Sequence, residues 1–481
     1  MAPDSNPAGT QVPHTTTPIN TGSRTLHRFG DRYRDYQDHY LDLSAEMEPY
    51  FVGPMPASAF LSEFLPTSKL RLPEDMPSYV NGMFDKALSE TEEVNVYKPF
   101  VRPCITLFRS RVHFSSQVDA LTPYMSNYQF QDTSRSEERA KTDFTFKIKP
   151  DCSLYAKEHS FHGTDSSAVE LFIEFKQRRD DDPFIKDPSP EKSSASSSDG
   201  PTPSPPPNPL MKTSKAARLT CGKITAYATS HMGAQYRTHV FSILICLDYA
   251  RLIRWDRSGA IVTGPIYYNV APELFNFFIR FNHSPPDVRG LDTTVRLAKP
   301  EDTEDAVKAV KELEDVEKSQ MPLVVVSIPN PAGEPSQYVV RPPIPSPWIP
   351  VGRWTRTSIG YDIQRKQKIF FKDSWRLVIN GVLKEGDVYS RFQARAVPNV
   401  PHCSNSGDIG DSEYHSARTG LFVHADWAIS SRSNLTLHRH YRLILDDIGE
   451  PLHRFPCSFD MVRAVYAALR GKFFIRGVEA Y

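Results

Sequence analysis

Asp151, Glu174 and Lys176 are the residues of this sequence whose types and spacing point most directly to chemistry. Pro150-Asp151 closes one alternating run, and Glu174-Phe175-Lys176 lies on the next. In a strand, residues two apart share a face, so Glu174 and Lys176 point together while Leu171, Ile173 and Phe175 enter the opposite layer. Asp151 and Glu174 brought together would bind a hard divalent cation such as Mg²⁺ through oxygen, and Lys176 beside them would orient or polarise an attacking water or a phosphate. The following helix sets Lys223 and Tyr227 on one face, toward the same sheet edge. The plainer reading is an ordinary ion pair on a sheet face.

The order Pro-Asp, Glu-x-Lys and then a helix carrying Lys223 and Tyr227 four apart resembles the restriction-endonuclease-like nuclease fold over roughly residues 143 to 260. Lys223 stands where that fold usually carries glutamine. The resemblance implies a metal-dependent nuclease or a nucleic-acid-binding protein. A second grouping lies in VGRWTRTSIGYDIQRKQKIFFKDSWRLVINGVLKEGDVYSRF, residues 351 to 392. A strand, a small-residue turn, a second strand, a lysine in a third strand and a glutamate in the next helix follow the order of parts that hold ATP in a protein kinase. Lys372 would neutralise the α- and β-phosphates, Glu385 would fix it as an ion pair, and Gly352 would let backbone amides come close to the phosphates.

With these parts in view, the sequence resembles the fungal-type protein kinase family of mushrooms and their relatives. The matching segments are Glu174-Phe175-Lys176, Arg237-Thr238-His239 leading into VFSILICLDYARLIRWDRSGAIVT, FKDSWR at 371 to 376, KEGDVY at 384 to 389, VPNVP at 397 to 401, and HRHYRLILDDIGEPLHRF at 438 to 455. The resemblance implies ATP-dependent Ser/Thr phosphorylation with ATP and Mg²⁺ as cofactors, a strand and hinge at Tyr441 to Leu452 that cup the adenine, and a first large-lobe helix at Phe459 to Leu469. Two departures modify that expectation. Trp354 replaces a glycine of the family's phosphate turn, and its indole would crowd backbone amides. The 481 residues contain neither a His-Arg-Asp catalytic loop nor an Asp-Phe-Gly metal site. Phosphoryl transfer needs an Asp base and bound Mg²⁺, so the expectation is a pseudokinase or a fragment truncated before its catalytic loop. His438, His440 and His453 offer metal-ligand types, but the hinge resemblance already accounts for their segment.

The elements that must position these residues set the expected fold class, α/β and α+β: a mixed sheet with helices followed by a partial kinase-like fold. Alternation in DFTFKIKPDCSLYAKE and AVELFIEFKQ predicts strands. Helical spacing predicts a helix over KAARLTCGKITAYATSHMGAQYR, VFSILICL, YARLIRW and AIVTGPIYY read as a strand meander, and ELFNFFIRF reads as a short helix. Further helices are expected at Asp31 to Glu48, Tyr79 to Glu90 and Val112 to Leu121. The expected division is a disordered tail (1–22), a helical or irregular region (23–142), an α/β nuclease-like domain (143–295) with a disordered Ser/Pro/Asp insertion (180–214), a solvated charged helix with a Pro-rich linker (296–350), and a kinase-like domain (351–481). Lysine plus arginine equals aspartate plus glutamate at 57 each, so no net field draws the chain to nucleic acid or an anionic membrane. The six cysteines form no C-x-x-C pair, which argues against a zinc knuckle or a disulfide framework. The most apolar stretch, Val240 to Leu247, is too short to span a bilayer. An intracellular protein of cytoplasm or nucleus is expected. The helix beginning near Phe459 is expected to show apolar residues without a partner.

Overall fold

The computed structural model describes residues 36–66, 80–109, 127–136, 138, 148–160, 162–185, 208–319, 321–330, 333–343, 349–410, 413–432, 434–450 and 454–478. Two mixed assemblies of sheet and helix share one chain. In the first, the elements are α1 (Tyr36–Met47), β1 (Phe51–Met55), α2 (Ala57–Phe64), α3 (Asp85–Leu88), α4 (Glu93–Arg109), β2 (Tyr128–Asp132), β3 (Cys152–Ala156), β4 (Leu171–Lys176), α5 (Lys215–Ala234), β5 (Val240–Cys246), β6 (Tyr249–Trp255), β7 (Ala260–Thr263) and α6 (Glu273–His283). Their sheet has the order β1-β7-β6-β5-β4-β3-β2. β2, β3 and β4 are antiparallel, β5 returns parallel to β4 after α5, and β5 to β7 form the expected antiparallel meander. Every residue of β5, VFSILIC, is buried, because helices cover both faces of the sheet and leave no side for water. Ile173, Phe175, Ile243 and Ile245 join Phe84, Phe100 and Phe277 on one face. On the other, Phe172, Leu244 and Trp255 join Met47, Ile224 and Tyr227.

The region expected to stand apart before residue 143 is part of this assembly, since β1 pairs with β7 and β2 with β3. α1 falls inside the expected span Asp31 to Glu48, whereas among the described residues of the span Tyr79 to Glu90 a turn in which Gly82 adopts φ +75° separates a helical Val80 from the short α3. α4 was not foreseen: Pro99 and Pro103 lie within it, and proline ordinarily argues against a helix interior. Val112 to Leu121 and the tail at 1–22 lie outside the described residues. The expected insertion at 180–214 is packed at both ends, with Asp182, Phe184, Asn208 and Leu210 buried and Phe184 bridged to Met211. Its middle, 186–207, lies outside the described residues.

The second sheet has the order β13-β14-β12-β11-β10-β9-β8. Its strands are β8 (Val295–Leu297), β9 (Val324–Asn330), β10 (Gly333–Val340), β11 (Arg356–Asp362), β12 (Gln367–Leu377), β13 (Cys403–Asp408) and β14 (His438–Leu445), accompanied by helices α7 (Pro300–Ala309), α8 (Lys311–Lys318), α9 (Glu385–Ala394) and α10 (Ser458–Val478). The stretch 296–350, expected as a linker, therefore supplies β9 and β10, and the second assembly begins near residue 295 rather than at 351. The charged helix is no solvated spacer either. Ala306, Val310 and Leu313 form an apolar stripe against Val325, Val339 and Tyr361 of the sheet, while the Glu and Lys residues occupy its outer side. α10 carries Phe459, Val462, Val465 and Tyr466 exposed, as expected.

Gly222 lets α1 and α5 cross at contact distance: a Cβ there would sit 1.8 Å from the Tyr40 carbonyl oxygen. Gly222→Ala is expected to destabilise the chain by roughly 1–3 kcal/mol through overpacking, read as a lower urea midpoint. An unchanged midpoint would show that the two helices separate freely.

Candidate functional site

The edge of the first sheet gathers the acid and lysine residues singled out above. β3 and β4 pair Cys152 with Ile173, so the preceding Asp151 and the following Glu174 become neighbours across the ladder. Ser214 caps α5, its side chain accepting from the Ala217 amide, and the helix then carries Lys223 over β4. Lys176 and Lys223 both donate to Glu174 Oε1, at 2.5 and 2.6 Å. Glu174 is fully buried, and its Oε2 has no hydrogen-bond partner among the described residues. Asp151 Oδ2 accepts from the Phe175 amide at 2.8 Å. Tyr227 lies under the cluster but donates to the Lys149 carbonyl, so it supports the strand rather than the acids.

Residues not foreseen complete the grouping. Glu93 lies 3.9 Å from Lys176, and the Tyr97 hydroxyl donates to Glu93 at 3.3 Å. Glu93 and Tyr97 are one helical turn apart on α4, a spacing visible in the sequence but hidden by the two prolines that obscured the helix. Burial alone would raise Glu174, but the ammonium groups of Lys176 and Lys223 outweigh it and hold the carboxyl below its ordinary value. Burial pulls Lys223 down, and Glu174 more than reverses that. Asp151 behaves oppositely: burial, reinforced by the neighbouring Glu174 carboxylate, raises it from 3.8 to about 7. One carboxylate thus holds two cations and the other tends to keep its proton, an internally neutralised arrangement.

The second grouping forms on the outer face of the second sheet. Along β12, Ile369, Phe371, Asp373 and Trp375 are buried and Phe370 and Lys372 alternate to the other face. There Lys372 Nζ donates to both oxygens of Glu385, at 2.7 and 2.8 Å. Both side chains are half-buried. The start of α9 is fixed by neighbours: the Gly386 amide donates to the Tyr441 hydroxyl at 2.9 Å, Lys384 reaches Asp408 at 3.0 Å, and Arg376 grips Asp408 with two donors. Arg353 lies 3.9 Å from Glu385. Gly352 departs from expectation. It is buried with φ +111°, and its amide donates to the Arg257 carbonyl at 2.9 Å, so that donor is already committed within the protein. Trp354 also takes a left-handed φ of +41°, and its indole donates to the Ile349 carbonyl and lies against the Arg257 guanidinium.

Among the histidines, His440 meets His415 and Asp292 in the interior, while His453 lies outside the described residues. His440 Nε2 is bonded to Asp373, and its Nδ1 lies 3.0 Å from His415 Nδ1. The two rings are nearly parallel, 11° apart, with centroids 5.3 Å apart. That separation is what two rings abutting edge to edge through the N···N contact produce. With a proton on one of the two Nδ1 atoms this contact is a hydrogen bond, and Asp292, His415 and His440 are also a group whose ligand atoms all lie within 4.8 Å of one another. Burial holds His415 at about 4 and His438 likewise at about 4, both neutral.

The raised Asp151 carboxyl gives a testable sign. The folded chain holds a proton there that the unfolded chain releases, so its contribution is complete below about pH 4 and is lost as pH rises to about 7. Asp151→Asn removes that loss. Between pH 4 and 7 the stability of the parent should fall relative to the variant by up to about 4 kcal/mol, measured by urea unfolding at each pH. Parallel profiles would contradict the assignment.

Residues 210–473 match the family described as fungal protein kinase. The match takes in α5 with Lys223 and Tyr227, and the Lys372–Glu385 pair, but begins after Asp151, Glu174 and Lys176. No curated protein and no solved structure matches the chain. Among the described residues no helix is long and apolar enough to cross a membrane. The match covers more than half of the sequence and agrees with the motifs it carries: the chain belongs to the fungal protein kinase family.

Proposed function

We propose that this chain is a nucleotide-binding, non-transferring member of its family, with ATP held at Lys372. The Lys372–Glu385 pair carries the reading. An ammonium has three donors; two go to Glu385, which aims the third outward from a half-buried sheet face. The order of parts supports it: β10, the connection with Trp354, β11, the lysine strand β12, the glutamate helix α9, then β13 and β14. That is the sequence in which a kinase assembles its phosphate cradle. Mg²⁺ would arrive on the nucleotide's phosphates, and Arg353 adds a second positive group near Glu385. Gly352 has no part in this version, since its amide is spent on Arg257. The same residues offer no Asp base and no Asp-Phe-Gly carboxylate, so binding without transfer is what they support.

A ligand that binds only the folded state raises its melting temperature. MgATP at millimolar concentration should raise that of the parent, and Lys372→Met should abolish the rise, while neither protein incorporates labelled phosphate into itself or a generic acceptor. No shift in the parent would remove the nucleotide reading, and label lost with Lys372→Met would overturn the non-transferring one.

A second reading rests on the convergence of Asp151, Glu174 and Lys176 in an α-β-β-β-α-β order, α4 through β5. It is a metal-dependent nuclease-like or nucleic-acid-binding site, with Glu174 Oε2 as its open ligand atom. The electrostatics oppose it, because Lys223 already places an ammonium on Glu174 where a divalent ion would compete. Magnesium-dependent DNA cleavage by the parent should therefore equal the background of Asp151→Ala and Lys176→Ala. Cleavage lost in both variants would reinstate the nuclease.

A further inference from the structure

The inner face of β12 bounds a small cavity at the junction of the two assemblies, and one of its residues is a cation with no carboxylate in contact among the described residues. Arg257, just after β6, is 1% exposed. Its Nη1 donates to the Pro350 carbonyl at 3.2 Å, and its Nε has no acceptor among the described residues. The guanidinium lies between two indoles, 4.3 Å from the Trp354 ring centre and 5.7 Å from that of Trp375. Ring faces attract a cation but supply no charge and accept no in-plane N–H. An arginine cannot escape by losing its proton, although burial and the nearby Arg356 press in that direction and the Asp373 and Asp256 charges oppose them only in part.

The neighbouring carboxylates are already committed. Asp373 accepts from His440 and Arg442, and Asp292 is bound to Arg442 at 2.5 Å. Asp256 takes Arg254 and the amides of Ser258, Arg418 and Thr419. Arg356 is answered by the carboxyl end of α5, donating to the carbonyls of Met232 and Gln235. Arg257 is left over. The cavity it lines with Trp354, Trp375, Arg356 and His440, and with the Asp292 and Asp373 carboxylates that Arg442 holds, measures about 10 Å³, room for roughly one water-sized occupant.

From the unpaired buried guanidinium and the size of the space beside it, we infer that this cavity is a binding site for one monatomic monovalent anion, of which chloride is the type. A neutral water would fill the volume and leave the charge uncompensated, and a tetrahedral oxyanion exceeds the volume. The site lies on the face of β12 opposite Lys372, so it is separate from the proposed nucleotide site, and its occupancy would lock the two assemblies together.

The test uses the full chain without nucleotide, melted in sodium chloride and in sodium gluconate at matched ionic strength, gluconate being too large for the cavity. Chloride should raise the melting temperature by roughly 1–3 °C, bromide should do likewise, and the ³⁵Cl resonance should broaden with the parent and sharpen on adding bromide. Arg257→Met keeps an apolar stem between the indoles and should lose both effects. Equal melting temperatures in the two salts, chloride dependence that survives Arg257→Met, or phosphate stabilising as well as chloride would each overturn the inference. Should Arg257→Met fail to fold, the salt comparison and the bromide competition on the parent decide it alone: broadening that bromide leaves unchanged would also overturn the site.

Discussion

The guanidinium of Arg442 is the interaction around which the second sheet is hung on the first assembly. It is fully buried, and it binds Asp373 on β12, Asp292 and Thr294 just ahead of β8, and the Ser327 carbonyl on β9. Residues 291–294 leave the first assembly directly, since Leu291 bridges to Arg237. One side chain therefore ties three strands of the second sheet to the exit of the first. Removing one partner of such a pair leaves an uncompensated charge in the interior, at a cost of about 3–5 kcal/mol. Asp256 does the same nearby, joining Arg254 to the amides of Arg418 and Thr419. The inner face of the second sheet combines a buried apolar cluster, with Val326, Ile328, Tyr338, Ile369, Phe371 and Ile444, with the ion pairs of Asp373 and Arg442, and its apolar contacts with α7, α8 and α9 lie on the outer face. Lys372 faces outward because Asp373 must face in.

Much of this was legible in the sequence where local pattern and tertiary role agree. The meander from Val240 to Thr263, α5 and α6 follow their hydrophobic spacing, and the Lys372–Glu385 pair follows from the order of parts. The errors have particular causes. β9 and β10 were missed because proline-studded sequence on both sides of them reads as a linker, yet their Val-rich cores are buried beneath the charged helices. α7 and α8 were read as solvated because charges dominate their composition, though Ala306, Val310 and Leu313 share one buried stripe. Gly352 was assigned to a ligand from its place in the small-residue turn ahead of the lysine strand, and nothing in the sequence announces that its amide meets the Arg257 carbonyl. Arg257 itself carried no signal, since an arginine after a strand is ordinarily exposed.

The two lysine–glutamate groupings use the same residue types with different consequences. At Glu174 two ammonium groups converge on one oxygen of a fully buried carboxylate. The charge is satisfied internally, and a ligand would have to displace a cation already in contact. At Lys372 one ammonium spreads over both oxygens of one carboxylate on a half-buried face, and the cation keeps a donor and access to solvent. Burial and stoichiometry, rather than residue identity, separate a cluster closed on itself from one whose cation keeps access to solvent.

These two places are mechanically joined through α5. From near its middle, Lys223 anchors the helix to β4 by way of Glu174, and Arg356 of β11 takes the carbonyls at the helix's carboxyl end. The family match opens just before this helix and runs through β11, β12 and α9, so the shared unit includes both anchors' helix and the strand that grips it. A helix held near its middle and at its carboxyl end by buried or half-buried cations does not translate without breaking one of them. The strand next to β12 is thereby fixed relative to the first sheet, and the Lys372–Glu385 geometry inherits its rigidity from contacts that never touch it.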